Sequence, residues 1–438
     1  MSIPRRLWAL RTERPAFVVL SAVTVATLAV WPTVDVHFRA VGLATPFGFN
    51  DYGAYSAAVS RWAAGDPIYV RNEGGGYHGS YLYPPIALAL FVPFQAFEFT
   101  TAALLLGGLS LVSLWTALAA VARVLGCDLL VSERLALLLV LFGSQPALRD
   151  FKWGQISTLL TALLGFAFYA HELEITADSD GRSRRYLYGY GSGALTTLGS
   201  SAKLFYAPAG AHLLRDRRRL VGAVATAVAL LAVSLVVFGV ETHRAYLDVL
   251  LWGKGWDESR PPELWDVAAA YRPLYVLGGF GRPARFLGTL GVIGLALAAR
   301  DAEGPTVRRA TFALGIAAVP LLAPRADTHD LVVALVPAVV LLAVELARPL
   351  GRPSIPVLAV LLFHLHRYGL GLALDPPAWL PPAAAAALSE RAAWLQPGVW
   401  ATFLLVGLAA YRVAECAPRL PVGDGRGTNG GERDRTRR

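Results

Sequence analysis

The chain has 438 residues, 55% hydrophobic and only 16% charged, with a mean hydropathy of +0.48. Soluble globular domains carry about 25% charged residues, so that class is excluded. Apolar stretches of roughly 17–25 residues recur, the length a bilayer demands, and they are continuous rather than alternating, which excludes a β-barrel. The net charge of +9 does not point to nucleic acid, because the arginines gather at the ends of apolar stretches, where they set topology, and no contiguous basic and aromatic face is present. The two cysteines, Cys127 and Cys416, support neither a disulfide framework nor a CxxC site.

In chain order, a basic start (Arg5, Arg6, Arg11, Arg14) precedes a first span at about 16–34. It lacks a small-residue cleavage pattern and reads as retained. Residues 35–84 form a long non-spanning segment rich in Gly, Tyr and Asp. Residues 85–97 are apolar but too short to cross, and carry Pro85 and Pro93. They are expected to lie in the interface or to re-enter. Spans follow at about 101–123, 134–148 and 156–171, with a loop at 149–155. The segment 189–214 is apolar but interrupted at Ser200-Ser201-Ala202-Lys203, with basic residues at both ends. Two half-helices meeting at a polar break fit it best, since broken helices are tolerated where they line a polar cavity. Further spans are expected at about 220–239, 283–300, 308–323, 331–348, 355–371 and 397–414, with a loop at 240–282.

The fold class is therefore an all-α polytopic membrane protein of roughly 10–12 transmembrane helices, with both termini cytoplasmic. A single transmembrane domain is expected over 1–414 and a disordered basic cytoplasmic tail over 415–438. Arg123, Arg134, Arg182 to Arg185, Arg215 to Arg219, Arg308, Arg309, Arg348 and Arg352 then fall on the cytoplasmic side. The loops 35–84, 149–155, 240–282, 324–330 and 372–396 all open to the other side and hold most of the unusual polar residues. A shared outward-facing site is the expectation.

Individual residues have two readings each. Asp51, at the start of a possible surface helix, is an N-cap or a general base for a hydroxyl. Gly65-Asp66-Pro67-Ile68-Tyr69 reads as a turn into an extended segment. The tyrosines of Tyr81-Leu82-Tyr83-Pro84-Pro85 anchor at the interface or stack on a sugar. Gln155, entering a span, needs a partner. Lys203 either snorkels or meets an anionic phosphate inside the membrane. Arg325, Asp327, His329 and Asp330 make a polar knot that reads as a solvated loop tip. The His/Asp pair has too few ligands for a metal. Asp178-Ser179-Asp180 reads as a solvated acidic turn. No Walker A, GxSxG or HExxH motif is present.

Together, Asn50-Asp51-Tyr52, Gly65-Asp66-Pro67-Ile68-Tyr69 and Tyr83-Pro84-Pro85 through Pro93 resemble the first outer loop of family 87 glycosyltransferases. That family lies in the GT-C superfamily and includes mannosyltransferases of phosphatidylinositol mannosides. Trp153-Gly154-Gln155-Ile156 resembles its GQ motif. Ala202-Lys203-Leu204-Phe205-Tyr206-Ala207-Pro208 resembles its Lys-centred motif, although the family often has Lys-x-Tyr-Pro there. Ala323-Pro324 and His329 resemble its late motif, with a less typical spacer.

The resemblance implies a GT-C-like bundle whose first outer loop carries interfacial helices. It also implies a polyprenyl-phosphate-linked sugar donor, with mannose as the sugar, a lipid or glycan acceptor, and contact with membrane lipids. No nucleotide, metal or other cofactor is implied, and no nucleic-acid partner. Asp51 would be the general base of an inverting transfer giving an α-linkage. Lys203 would neutralise the departing phosphate and His329 would assist. Tyr83, Gln155 and Tyr52 would line the site. The competing readings are a transporter or flippase of lipid-linked sugars, favoured by the broken segment but not by any internal repeat, and a related GT-C protein with another role, such as polysaccharide ligation.

Overall fold

The computed structural model describes residues 2–417 apart from 43, 45, 74, 78, 177–181, 254–259 and 268. Asp178-Ser179-Asp180 and almost all of the expected tail lie outside the described residues. The described chain is mostly helical with almost no sheet, and the protein is an all-α polytopic membrane protein. Six helices are long and apolar enough to cross a bilayer. They are α2 (Pro15–Ala40), α4 (Phe99–Val124), α9 (Arg217–Gly253), the segment Thr328–Leu346 that ends in α12 (Leu335–Leu346), α13 (Ser354–Leu374) and α15 (Pro397–Cys416). A seventh candidate is the pair α5 (Val131–Gly143) and α6 (Gln145–Trp153), bent by 67°. Four more helices are 18–20 residues long: α7 (Ser157–Thr176), α8 (Arg182–Ser201), α10 (Gly281–Ala298) and α11 (Pro305–Leu322). Of these, α7 and α11 are mostly buried against other helices. An inner helix faces protein rather than lipid, so it can carry polar side chains that a span exposed to hydrocarbon cannot. Short helices complete the set: α1 (Ile3–Ala9), α3 (Asn50–Ala64) and α14 (Pro382–Glu390).

Several expected boundaries move. The first span continues past Pro32 to Ala40, so buried Asp35 lies in its last turns. The expected span at 134–148 breaks at Ser144, and the expected loop at 149–155 is helical to Trp153, with residues 145–150 and Lys152 buried. The expected loop at 240–282 is helical as far as Gly253, beyond a break at Gly239 (φ 72°). The apolar stretch 85–97 forms two short 3₁₀ turns, Pro85–Leu90 and Val92–Ala96. Its prolines remove donors that a longer helix would need. The interruption at Lys203 is real: α8 stops at Ser201, and a 3₁₀ helix runs over Leu204–Arg215.

The bundle has two distinct polar ends. At one, the Arg14 guanidinium donates to the Arg348 carbonyl at 2.7 Å, and Arg348 pairs with Glu415 at 2.8 Å. Arg412 is bound to buried Glu345 at 2.7 Å, Arg309 to Glu172 at 2.6 Å and Arg219 to Glu174 at 2.7 Å. Through Arg348, the start of α2 and the last turn of α15 therefore come to one end, among the arginines expected to share a face.

At the other end, the five expected loops converge. β1 (Ala270–Tyr271) pairs antiparallel with β2 (Ala326–Asp327). The Gln396 side chain accepts from Arg272 N at 2.8 Å and donates to its carbonyl at 3.1 Å. Tyr69 packs on Tyr246 and Tyr77 on Trp252, joining the first loop to the end of α9.

Candidate active site

The site is built where α3, the α6–α7 turn, the break after α8 and the start of the Thr328–Leu346 segment meet. The α6–α7 turn depends on Gly154, whose φ is 69°. A Cβ there would lie 2.6 Å from the Cβ of Tyr52. Glycine supplies both the left-handed conformation and the room for α3 to approach. Asp150 completes the turn: its two carboxylate oxygens accept from the Ser157 and Thr158 backbone N–H groups at 3.1 and 3.0 Å. Those are orphan donors at the start of α7. Phe49, in the left-handed region at φ 47°, donates its N–H to the Lys152 carbonyl at 3.0 Å. Lys152 in turn pairs with buried Asp35 at 2.5 Å, which ties α2, α3 and α6 together.

This frame sets Asp51 in the first turn of α3. The N-cap position is Phe49, and no side chain caps the helix, so the capping reading of Asp51 does not hold. The residue is half-buried, and its Oδ2 is enclosed without a hydrogen-bond partner. Burial pushes the carboxyl above its ordinary value. His329, a hydrogen bond from Gln155 and the charge of Lys203 pull the other way.

Gln155 has the partners a buried amide requires. Its Oε1 accepts from Tyr55 at 2.9 Å and Tyr83 at 2.8 Å, leaving the amide nitrogen as the end that faces Asp51. The two phenol oxygens lie 2.9 Å apart. Burial raises the Tyr55 phenol well above its usual value and pushes that of Tyr83 up to about 12. Both therefore stay protonated and serve as donors.

Lys203 does not snorkel. Its Nζ is buried, 2.6 Å from Asp330 Oδ1 and 2.7 Å from Ser157 Oγ, beside the rings of Tyr83 and Phe205. The reading of 325–330 as a solvated tip also fails, because His329 and Asp330 are each 3% exposed. Asp330 Oδ2 accepts from the Asp327 backbone at 3.0 Å. His329 Nε2 lies 3.5 Å from Asp330 Oδ2, its ring 5.9 Å from Trp153, and its Nδ1 is buried without a hydrogen-bond partner. Packing drives this burial, since Leu331, Val332 and Val333 follow directly and are fully buried.

The structure thus brings Asp51, Gln155, Tyr83, Lys203 and His329 to one place. Tyr52 stands behind them, 1% exposed, with its ring against Phe99. Sequence reasoning passed over Tyr55, Ser157, Asp150 and Arg149, and left Asp330 within an undifferentiated knot. Arg149 is buried with its guanidinium 3.9 Å from the Trp153 ring centroid. The signal that could have found Tyr55 is its place one helical turn after Asp51, on the same face.

The sequence pattern of glycosyltransferase family 87 matches residues 81–324. The matched segment carries Tyr83, Gln155 and Lys203; Asp51 precedes it and His329 follows it. Neither curated proteins nor solved structures give a match. The family match spans more than half of the chain, and on it this protein belongs to glycosyltransferase family 87.

Proposed function

We propose that this transferase moves a hexose, mannose as the first choice, from a polyprenyl-phosphate donor to a lipid or glycan acceptor at the outer face of the membrane. The observation that carries the reading is Asp51: a half-buried carboxylate with one enclosed oxygen free of hydrogen bonds, beside two cationic or potentially cationic groups. In the proposed step, an acceptor hydroxyl attacks the anomeric carbon as the bond to the phosphate oxygen breaks. Asp51 takes the hydroxyl proton. The polyprenyl phosphate leaves from the opposite face, so a β-linked donor gives an α-linkage.

Lys203 and His329 stabilise the charge that develops on the phosphate. An ammonium has three donors; Asp330 and Ser157 take two, and the third is available to the phosphate. Asp330 fixes the position of the ammonium. Tyr83 and Gln155 line the site and hold the Asp51 carboxylate in place, with Tyr52 packed behind it. The apolar 3₁₀ turns, with Val92 and the following Phe97 exposed, give a polyprenyl chain a route along the interface. Family membership favours transfer over the flippase reading.

The test is direct. Purified protein is incubated with labelled polyprenyl-phosphate mannose, its glucose counterpart and a panel of lipid and glycan acceptors, with Asp51→Asn in parallel. Transfer by the wild type alone supports the reading. Transfer by both proteins removes Asp51 as the base, and transfer from neither donor overturns the donor class.

A further inference from the structure

At the end of the bundle away from Asp51, Arg185, Tyr190, Asp216, Arg217, Arg218 and Val221 line a cavity of about 600 Å³. Sixteen residues of α8 separate Arg185 from Ser201 at the Lys203 break, so the cavity lies roughly 25 Å from that break at 1.5 Å per residue. That is close to the hydrocarbon thickness of a bilayer. The cavity therefore opens at the opposite membrane face from the candidate active site.

The two helices that form its walls are closely packed. A Cβ on Gly222 would lie 2.3 Å from the Tyr190 carbonyl oxygen, and one on Gly193 would lie 1.9 Å from that of Arg219. The close contact of α8 with α9 thus depends on bare glycines. Asp216 caps α9, accepting from Arg218 N at 2.7 Å and from Arg219 N at 3.4 Å. Arg218 lies over the Tyr186 ring at 4.3 Å and 3.9 Å from Glu174.

Two charges in the cavity are left over. Arg219, Arg309, Arg348 and Arg412 at this end are all held in ion pairs with glutamates. Arg185 and Arg217 make no ion pair and no side-chain hydrogen bond among the described residues. An apolar track leads away from them. Val221, in the cavity wall, is followed along α9 by Val224, Val228, Leu231 and Leu235, all exposed. The spacing of three and four residues puts them on one stripe.

We propose that this cavity binds the headgroup of an anionic phospholipid in the leaflet opposite the active site, with Arg185 and Arg217 on its phosphate and an acyl chain along the α9 stripe. Guanidinium groups match phosphate oxygens in a fixed fork. An amphipathic anion matches both the two exposed arginines, which have no ion pair among the described residues, and the apolar stripe that begins at Val221. The site is separate from glycosyl transfer and does not rest on that reading.

The experiment uses the whole purified protein in detergent, with no sugar donor. Thermal melting is followed on adding dioleoyl-phosphatidylglycerol, dioleoyl-phosphatidylcholine or inorganic phosphate, at matched ionic strength. The wild type should gain more thermal stability from the anionic lipid than from the zwitterionic one. Arg185→Gln/Arg217→Gln should lose most of that difference. Arg185→Lys/Arg217→Lys should keep part of it. Arg5→Gln/Arg300→Gln, with the same charge change on exposed arginines elsewhere, should keep all of it. Native mass spectrometry counts the phosphatidylglycerol retained and reads the same difference if a variant's own melting point moves. Equal responses to the two lipids, an unchanged response in the glutamine pair, or an equal effect of phosphate alone would overturn the proposal.

Discussion

Lys203 Nζ lies 2.6 Å from Asp330 Oδ1, and the two residues are 127 positions apart in the chain. Both side chains are almost wholly buried. The pair joins the break after α8 to the start of the Thr328–Leu346 segment, and Ser157 adds the start of α7. An ion pair at this depth is a positioning device, because each charge depends on the other.

Lys203→Met should therefore act twice. It strands the Asp330 carboxylate, which predicts a stability loss of about 3–5 kcal/mol. It also removes a charge from the proposed phosphate site. Lys203→Met/Asp330→Leu should recover much of the stability and none of the activity. Thermal melts and a transfer assay on the three proteins separate the two effects. Full activity in the double variant would remove Lys203 from the chemistry.

Asp51→Asn should lower turnover by about 10²–10⁴-fold, the range for loss of a general base. It should leave donor affinity in place. Burial raises the Asp51 carboxyl above its ordinary value of 3.8, so folding with an ionised Asp51 is unfavourable at neutral pH. The asparagine protein should melt higher than the wild type near pH 7. That gain should fade as the pH falls through the raised value and vanish below the ordinary carboxylate value, where Asp51 is protonated in both folded and unfolded chains.

The same shift governs the wild-type pH profile. A base works only when deprotonated, and the raised value moves the acid limb of the rate toward neutral pH. The acid limb of kcat/KM should lie above the range of an exposed aspartate. A limb at or below 3.8 would exclude Asp51 as the titrating base.

Gly154→Ala should disturb the site without touching an ionisable group. Alanine at φ 69° is strained, and its Cβ would lie 2.6 Å from that of Tyr52. A cost of about 1–3 kcal/mol is expected from overpacking alone. The shift of α3 should reduce transfer even in protein that remains folded. Wild-type activity in this variant would show that α3 need not sit against the α6–α7 turn.

Gln155→Leu should leave Tyr55 and Tyr83 without their shared acceptor and Asp51 without its amide donor. Each buried polar group so stranded is expected to cost about 1–3 kcal/mol. Activity should fall with a change in the acid limb, because the Gln155 hydrogen bond lowers the Asp51 value. An unchanged limb would place Gln155 outside the Asp51 environment.

The class of the molecule was legible from the chain alone. Continuous apolar stretches ending in arginine can be read directly, because bilayer thickness and positive-inside placement act on local sequence. The order of motifs also pointed to the family and to the loops that meet, and the interruption at Lys203 was visible because an apolar segment rarely holds a lysine. Tertiary structure decided the rest. Local sequence left Asp51 open between an N-cap and a general base, and gave the knot around His329 and Asp330 the reading of a solvated tip. Packing set Asp51 in the first turn of α3 beside Gln155, not at the N-cap position, and buried His329 and Asp330 beneath Leu331 to Val333. Gln155 needed two tyrosines from another part of the chain, and Lys203 an aspartate 127 residues away. A polar side chain in a helical bundle is defined by its partners. Partners brought together by helix packing leave no periodic trace in the sequence around either residue.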